Sequence, residues 1–254
     1  MKVAAYQAPL LESGSTEALG LISEQVVLCE QQGVSFLCCP EAILGGLADY
    51  AEHPQHFAIK TSTLEHTLAP LASDTVTTIV GFTEVDTVGR LFNSAAILHR
   101  GRVVGLYRKL HPAINRSTYE AGTESPVFSV GGLTFGVIIC RDSTFVEPAR
   151  VMAVQGATVL FIPTNNGLPA NRFGPEVAEH SRKCDTARAT ENNVYTVRAD
   201  VVGEAGLLKS CGASAILSPN GSVLASARPS SAALLIADIN TSRPDGVFEF
   251  TTGD

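Results

Sequence analysis

Gly132-Leu133-Thr134-Phe135-Gly136-Val137-Ile138-Ile139-Cys140-Arg141-Asp142-Ser143-Thr144-Phe145-Val146-Glu147-Pro148-Ala149-Arg150 is the stretch whose reading decides the fold. It opens with a continuous apolar run, residues 135–139, rich in β-branched side chains. Such a run predicts a strand buried on both faces. The run stops at Cys140, and two charged residues follow. Pro148 suits the first position of a helix, and the apolar spacing beyond it turns helical. Cys140 therefore sits where a buried strand ends and the turn into a helix begins. In α/β sheets ligands gather outside the carboxyl ends of strands. A thiol there, near backbone N–H groups and mixed charge, is placed to act as a nucleophile. The competing reading is a small buried core residue, and the rest of the chain decides between the two.

Upstream, residues 2–8 read as a strand. Leu19, Ile22, Val26 and Cys29 recur at helical spacing, and Gly33 stops that helix as a C-cap glycine would. Residues 34–39 predict a second buried strand that ends at Pro40-Glu41, with a loop at Gly45-Gly46. Leu64, Leu68 and Leu71 mark a short helix. Residues 75–82 form a β-branched strand. Residues 93–99 and 103–107, around a turn at Gly101, form a hairpin. Residues 113–126 read as a long polar loop, a length that often carries function. Downstream, Gly156 ends the helix and residues 157–163 form a strand, with Asn165 and Asn166 just past its carboxyl end. Residues 175–191 predict a helix with Val177, His180, Cys184, Ala187 and Thr190 on one face. Residues 194–197 form a strand. Residues 213–217 and 222–225 flank Pro219-Asn220-Gly221, a strong hairpin signal, and residues 233–239 form the last strand. The tail from Thr241 reads as irregular. Strands alternate with helices, and no linker, repeat or compositional break divides residues 1–254, so the expectation is one α/β domain.

Composition narrows the partners. A net charge of −7 without a basic block leaves no electrostatic footprint for nucleic acid. No apolar stretch approaches the ~18 residues that would span a membrane, and the N-terminus lacks the pattern of a signal peptide. A cytoplasmic protein with a small-molecule partner is expected. The cysteines Cys29, Cys38, Cys39, Cys140, Cys184 and Cys211 include no C-x-x-C pair and no zinc-like spacing, so they read as thiols and no metal site is expected.

Three strands end in a reactive side chain. Glu41 follows Cys39-Pro40, Lys109 follows the second hairpin strand, and Cys140 follows the central strand, at separations of 68 and 31 residues. Each alone has a bland reading as a solvated or packed residue. Together they resemble the Glu-Lys-Cys triad of the nitrilase superfamily of carbon–nitrogen hydrolases. Pro40-Glu41 is similar to the family's glutamate motif, and Tyr107-Arg108-Lys109-Leu110-His111 to its lysine motif. Cys140, Asp142, Phe145 and Glu147 match its C-x-D-x-x-F-x-E pattern, and Arg182 to Val197, with Asn192 and Tyr195, resembles its R-A-x-E-N-x-Y segment. The resemblance covers nearly the whole chain. It implies a four-layer αββα sandwich, a homodimer or larger assembly, no metal or organic cofactor, and hydrolysis of non-peptide C–N bonds.

The chemistry explains the residue types. A neutral thiol is a poor nucleophile, so Cys140 needs a base. Glu41 would take its proton, pass it to the leaving amine and later deprotonate water. Lys109 and the backbone N–H of Arg141 would hold the oxyanion, and the intermediate would be a thioester. The chain departs from the family where many members carry a second glutamate in the loop after the lysine. Counting back from Gly122 puts Asn115 at that place, and Glu120 lies closer to the glycine. Either Glu120 substitutes from a shifted loop, Asn115 supplies a polar contact, or the role is absent. A solvated Glu120 is the favoured reading.

The remaining candidates have structural readings. His111 could pair with a cysteine nucleophile but is expected to be structural. Asp142 is expected to brace the turn and Glu147 to favour the start of the next helix. Asn165 and Asn166 are candidates for the pocket lining. Arg172 could meet an anionic group but reads as solvated, and Cys38 and Cys39 read as packing. The leading function is an amidase or carbamide hydrolase acting on a small linear substrate. The alternatives are an acyltransferase or nitrilase using the same triad, and a catalytically silent binding module.

Overall fold

A computed structural model describes residues 1–241. Its centre is the strand Lys2–Pro9, whose side chains alternate between two cores. Val3 and Ala5 face one core, and Ala4, Tyr6 and Ala8 the other. This is the two-residue period of a strand covered on both sides. The strand pairs in parallel with Phe36–Cys38 and Val201–Ala205 and antiparallel with Ala233–Asp238. Beyond Phe36–Cys38 the first sheet continues through Thr77–Val85, Leu91–His99 and Arg102–Arg108.

The second sheet runs Val223–Ser226, Ala215–Leu217, Tyr195–Ala199, Val159–Pro163, Leu133–Val137, Val127–Val130. The inner faces of the two sheets meet in an aromatic cluster. Phe36 of the first sheet packs edge-on against Phe135 of the second at 5.5 Å, and Phe135 packs edge-on against Phe161 at 5.2 Å. Such T-shaped pairs are favoured by the ring quadrupoles.

Helices close both outer faces. Ala18, Ile22, Val26 and Cys29 of the helix Ala18–Gln32 join Leu64 and Leu68 of Leu64–Leu68 over the first sheet. That first helix ends at Gly33 in the left-handed region at φ 67°, which glycine adopts without steric cost. On the second sheet, Ala149 and Met152 of Ala149–Val154 pack inward, with Pro175–Asn192 alongside. Gly136 permits this approach, because a Cβ there would lie 2.4 Å from the Met152 sulfur. The result is the four-layer αββα sandwich. Among the described residues no helix is long and apolar enough to cross a membrane, and all six cysteines are unbridged.

Several elements differ from expectation. The central strand ends at Val137 rather than residue 139, because the Ile139 N–H turns to the Asp142 carboxylate at 3.0 Å. The long helix buries Ser181, Asp185, Arg188 and Ala189, while His180 and Thr190 are exposed. The expected stripe from Val177 to Thr190 is therefore not the packed face. This helix docks partly through a polar network, which hydrophobic periodicity cannot register. The polar loop after Lys109 contains a short strand, Tyr119–Glu120, paired with Leu91 and Phe92. A hairpin of Val201–Ala205 with Leu208–Ser210 was not expected, since Gly203, Glu204 and Gly206 break the strand pattern there. The irregular tail expected from Thr241 lies, past Thr241 itself, outside the described residues.

Candidate active site

Glu41 is carried on the loop that leaves Phe36–Cys38. Its N–H donates to the Thr164 carbonyl at 3.2 Å, which ties the loop across to the second sheet. The loop crosses the neighbouring strand at Gly81. A Cβ on Gly81 would stand 2.2 Å from the Pro40 carbonyl oxygen and 2.7 Å from the Glu41 Cα, so a larger residue would push Glu41 out of place. Lys109 leaves the end of Arg102–Arg108, with its N–H on the Asn93 carbonyl and its carbonyl receiving the Gly122 N–H, both at 2.8 Å. Cys140 opens a 3₁₀ turn, Cys140–Thr144, with φ at 45°. A non-glycine residue in the left-handed region costs energy and needs surrounding structure to hold it.

Asp142 supplies much of that hold. Its carboxylate accepts the Ile139 N–H at 3.0 Å, the Tyr107 hydroxyl at 2.8 Å, and both the N–H and the Nδ1 of His111 at 2.9 Å. Tyr107 and His111 flank Lys109, so Asp142 clamps the lysine segment to the cysteine turn. The His111 ring also stacks on Phe145 at 3.9 Å between centroids. His111 is thus occupied with Asp142 and Phe145. Arg198, buried in Tyr195–Ala199, makes a second clamp. It grips Asp185 through two bonds of 2.5 and 2.6 Å, and donates to Thr164 Oγ1 at 2.5 Å and Ser143 Oγ at 2.8 Å. Thr164 anchors the Glu41 loop and Ser143 belongs to the cysteine turn, so one guanidinium joins both.

These elements bring Glu41, Lys109 and Cys140 to one narrow cavity of about 40 Å³. Lys109 Nζ donates directly to Glu41 Oε1, and both side chains are buried. Asn93 Nδ2 donates to the same oxygen at 2.7 Å, and the Asn165 N–H to Oε2 at 2.9 Å. Burial and the neighbouring Glu41 carboxylate push the Cys140 thiol up to about 12, against the pull of Lys109 and Arg198. Burial lowers the Lys109 ammonium, but Glu41, with Cys140 and Asp142, outweighs it and raises the group above the usual lysine range.

Asn165 lines this cavity, as expected of a residue past a strand end. Asn166 accepts a weak contact from Cys140 Sγ at 3.9 Å and is itself held by Asp200, through its N–H at 3.0 Å and its Nδ2 at 2.8 Å. Burial raises the Asp200 carboxyl to about 6, opposed by the donors of Asn166 and Val201 and by Arg198. The Arg141 side chain turns away to the carbonyls of Pro112 and Ala113. Asn115 and Glu120 are exposed and do not line the cavity. The Tyr119–Glu120 pairing fixes Tyr119 inward, with its hydroxyl taking the Ala48 N–H at 2.8 Å, and so turns its neighbour Glu120 outward. Arg172 is exposed and off the cavity, Glu147 pairs with Arg150, and Cys38 and Cys39 are core residues.

Sequence reasoning missed Asn93, Asp185 and Arg198, and also Asp49, which lines the same cavity. Arg198 had a signal, as the one charged residue in the strand Tyr195–Ala199, whereas Asn93 stands beside Ser94 in Leu91–His99 and is marked only as an amide within a buried strand. Asp49 had none, because the 3₁₀ turn Ala48–Tyr50 that carries it has no periodic pattern.

Known proteins place the chain by sequence and by shape. The family model described as carbon-nitrogen hydrolase matches residues 2–245. A nitrilase of Pyrococcus abyssi is 35% identical over 68% of this chain, which spans 63% of that protein. The deaminated glutathione amidase of Escherichia coli O157:H7 is 32% identical over 84% of this chain and 80% of its own length. Among solved structures, an amidase from Nesterenkonia sp. superposes with a TM-score of 0.81 at 22% identity, covering 95% of this chain and 90% of that one. A match running almost end to end, on the sheet-and-helix layering just described, means that the chain belongs to the carbon-nitrogen hydrolase family.

Proposed function

We propose that this carbon–nitrogen hydrolase is a cysteine amidohydrolase that cleaves a small linear amide or carbamide through a thioester. The observation that carries the reading is the convergence of the Glu41 carboxylate, the Lys109 ammonium and the Cys140 thiol on one cavity. Burial and the Glu41 carboxylate hold the Cys140 thiol well above neutrality, so the nucleophile needs an adjacent base. Glu41 takes the thiol proton as Sγ attacks the carbonyl carbon. Lys109 Nζ and the Arg141 N–H stabilise the oxyanion. The tetrahedral species collapses, the C–N bond breaks, and Glu41 returns the proton to the departing nitrogen. A water that Glu41 deprotonates then attacks the thioester, releasing the acid and restoring the thiol. The narrow cavity supports a small acyl group. A Glu-to-Gln mutant of the Nesterenkonia amidase shows covalent addition of the acetamide moiety of fluoroacetamide at its active-site cysteine, which supports the same nucleophile type here.

The test is turnover of amides, carbamides and nitriles by wild type and three variants. Cys140→Ala is expected to be inactive. Glu41→Gln, which accepts no proton, is expected to lose about 10²- to 10⁴-fold. Lys109→Met is expected to lose about 10²- to 10³-fold, the scale of one oxyanion donor. Wild-type turnover in folded Glu41→Gln or Lys109→Met would reject the assigned roles.

A further inference from the structure

The catalytic cavity holds two acceptors that the proposed chemistry does not use. Asp49, on the turn Ala48–Tyr50, lines it with a carboxylate held in place by the Ser117 hydroxyl at 2.9 Å and the Thr118 N–H at 2.6 Å. Asn93 lines it as well. Its Nδ2 is committed to Glu41, and its buried Oδ1 has no hydrogen-bond partner among the described residues. A buried acceptor left without a donor is costly, so a bound molecule bringing an N–H group would relieve it. Among the described residues that line the cavity Lys109 is the sole lysine or arginine, and its charge is taken by Glu41. Asp49 therefore leaves the cavity with an uncompensated negative charge.

A larger cavity of about 540 Å³ adjoins this one, and Leu47, Tyr50 and Asn165 line both. Leu10, Leu11 and Leu208 give it an apolar wall; among the described residues, Glu12 and Glu52 stand on it as carboxylates, His53 and His56 as imidazoles, and no lysine or arginine lines it. A route to Cys140 through this larger cavity would be apolar in its walls and, with His53 and His56 neutral, negative in its charge. Such a path attracts cations and rejects anions.

Resting on the amidohydrolase reading above, we propose that the substrate is an amide or carbamide bearing a second, cationic N–H group, such as a primary amine. Asp49 receives that group, Glu12 and Glu52 favour its approach, and carboxylate-bearing amides are excluded. Asp49 acts here as a specificity residue, separate from the bond-breaking step.

The experiment compares kcat/KM for three matched linear amides of equal chain length at pH 8, where imidazole charge does not enter. One ends in an amine, one in a methyl group, one in a carboxylate. Wild type is expected to prefer the amine over the carboxylate by at least about 100-fold, the product of attraction to one substrate and repulsion of the other. In Asp49→Asn the amine-to-carboxylate ratio, which is internal to the variant, is expected to fall at least about tenfold. Glu12→Gln/Glu52→Gln alters only exposed positions, and is expected to lower the same ratio by a smaller factor and to weaken its dependence on salt. Equal use of amine and carboxylate by wild type, preference for the carboxylate, or a ratio unchanged in both variants would overturn the proposal. Hydroxylamine trapping with the methyl-ended amide separates the two readings. If that amide acylates Cys140 without a charge preference across the panel, only the charge selection fails. If no amide acylates Cys140, the amidohydrolase reading fails with it.

Discussion

Arg198→Met tests how the site is held. The guanidinium is 1% exposed and bonds Asp185 twice, Thr164 once and Ser143 once. Methionine keeps much of the volume and removes every donor. Asp185, also buried, would keep a carboxylate without its cation. Breaking a buried pair from one side costs about 3–5 kcal/mol, whereas removing both charges together is often close to neutral. At roughly 2–4 °C per kcal/mol for a chain of this size, the melting temperature is expected to fall by on the order of 10 °C. The double variant Arg198→Met/Asp185→Leu is expected to recover more than half of the loss. Turnover should not recover with it, because Thr164 and Ser143 still lack the group that ties the Glu41 loop to the cysteine turn. Urea unfolding and steady-state kinetics on the wild type, the single and the double variant provide the readouts. A single variant within about 1 kcal/mol of wild type, or a double variant less stable than the single, would refute the reasoning.

Three further outcomes follow from the same structure. Glu120→Gln is expected to keep turnover within a few-fold, since the carboxylate is exposed and off the cavity; a loss of roughly 10²-fold would restore Glu120 as an acid–base group. The Asp200 carboxyl is raised from its ordinary 3.8 to about 6, so the native state holds its proton more tightly than the unfolded chain. The stability of wild type relative to Asp200→Asn should therefore fall by on the order of 2–3 kcal/mol as pH rises from about 4 to about 6, then level off. A difference that rises or stays flat across that window contradicts the assignment. Sedimentation at micromolar concentration is expected to give about twice the chain mass of 26.7 kDa, and a clean monomer would exclude the homodimer.

The sequence exposed the elements that carry simple periodicity. The strand Val159–Pro163, buried throughout, and the helix Ala18–Gln32 with its glycine cap follow from local pattern alone. Cys140 stood out because it ends an apolar run, and Glu41, Lys109 and Cys140 were legible together because they and their neighbours resemble the motifs of one family in the right order. Features built from polar contacts between distant segments were not legible. Ser181, Asp185 and Arg188, with Ala189 the one apolar member, form the buried face of the helix Pro175–Asn192. Asp49 reaches the cavity only because Ser117 and Thr118, 68 and 69 residues away, fold back upon it. No local window contains both partners of such a contact. Asn115 and Glu120 were candidates through the family's second glutamate counted back from Gly122, and the strand pairing that holds Tyr119 inward turns Glu120 outward.

The central claim is that Cys140 becomes an acyl-enzyme, and intact-protein mass spectrometry tests it most directly. Wild type is mixed with an amide that it turns over, quenched, digested and mapped, and a parallel reaction receives hydroxylamine to intercept the thioester. The expected result is an acyl adduct on the peptide that contains Cys140, hydroxamate released in the parallel reaction, and neither in Cys140→Ala. An adduct on the Cys38–Cys39 peptide, or hydroxamate formed at the wild-type rate by Cys140→Ala, would contradict it.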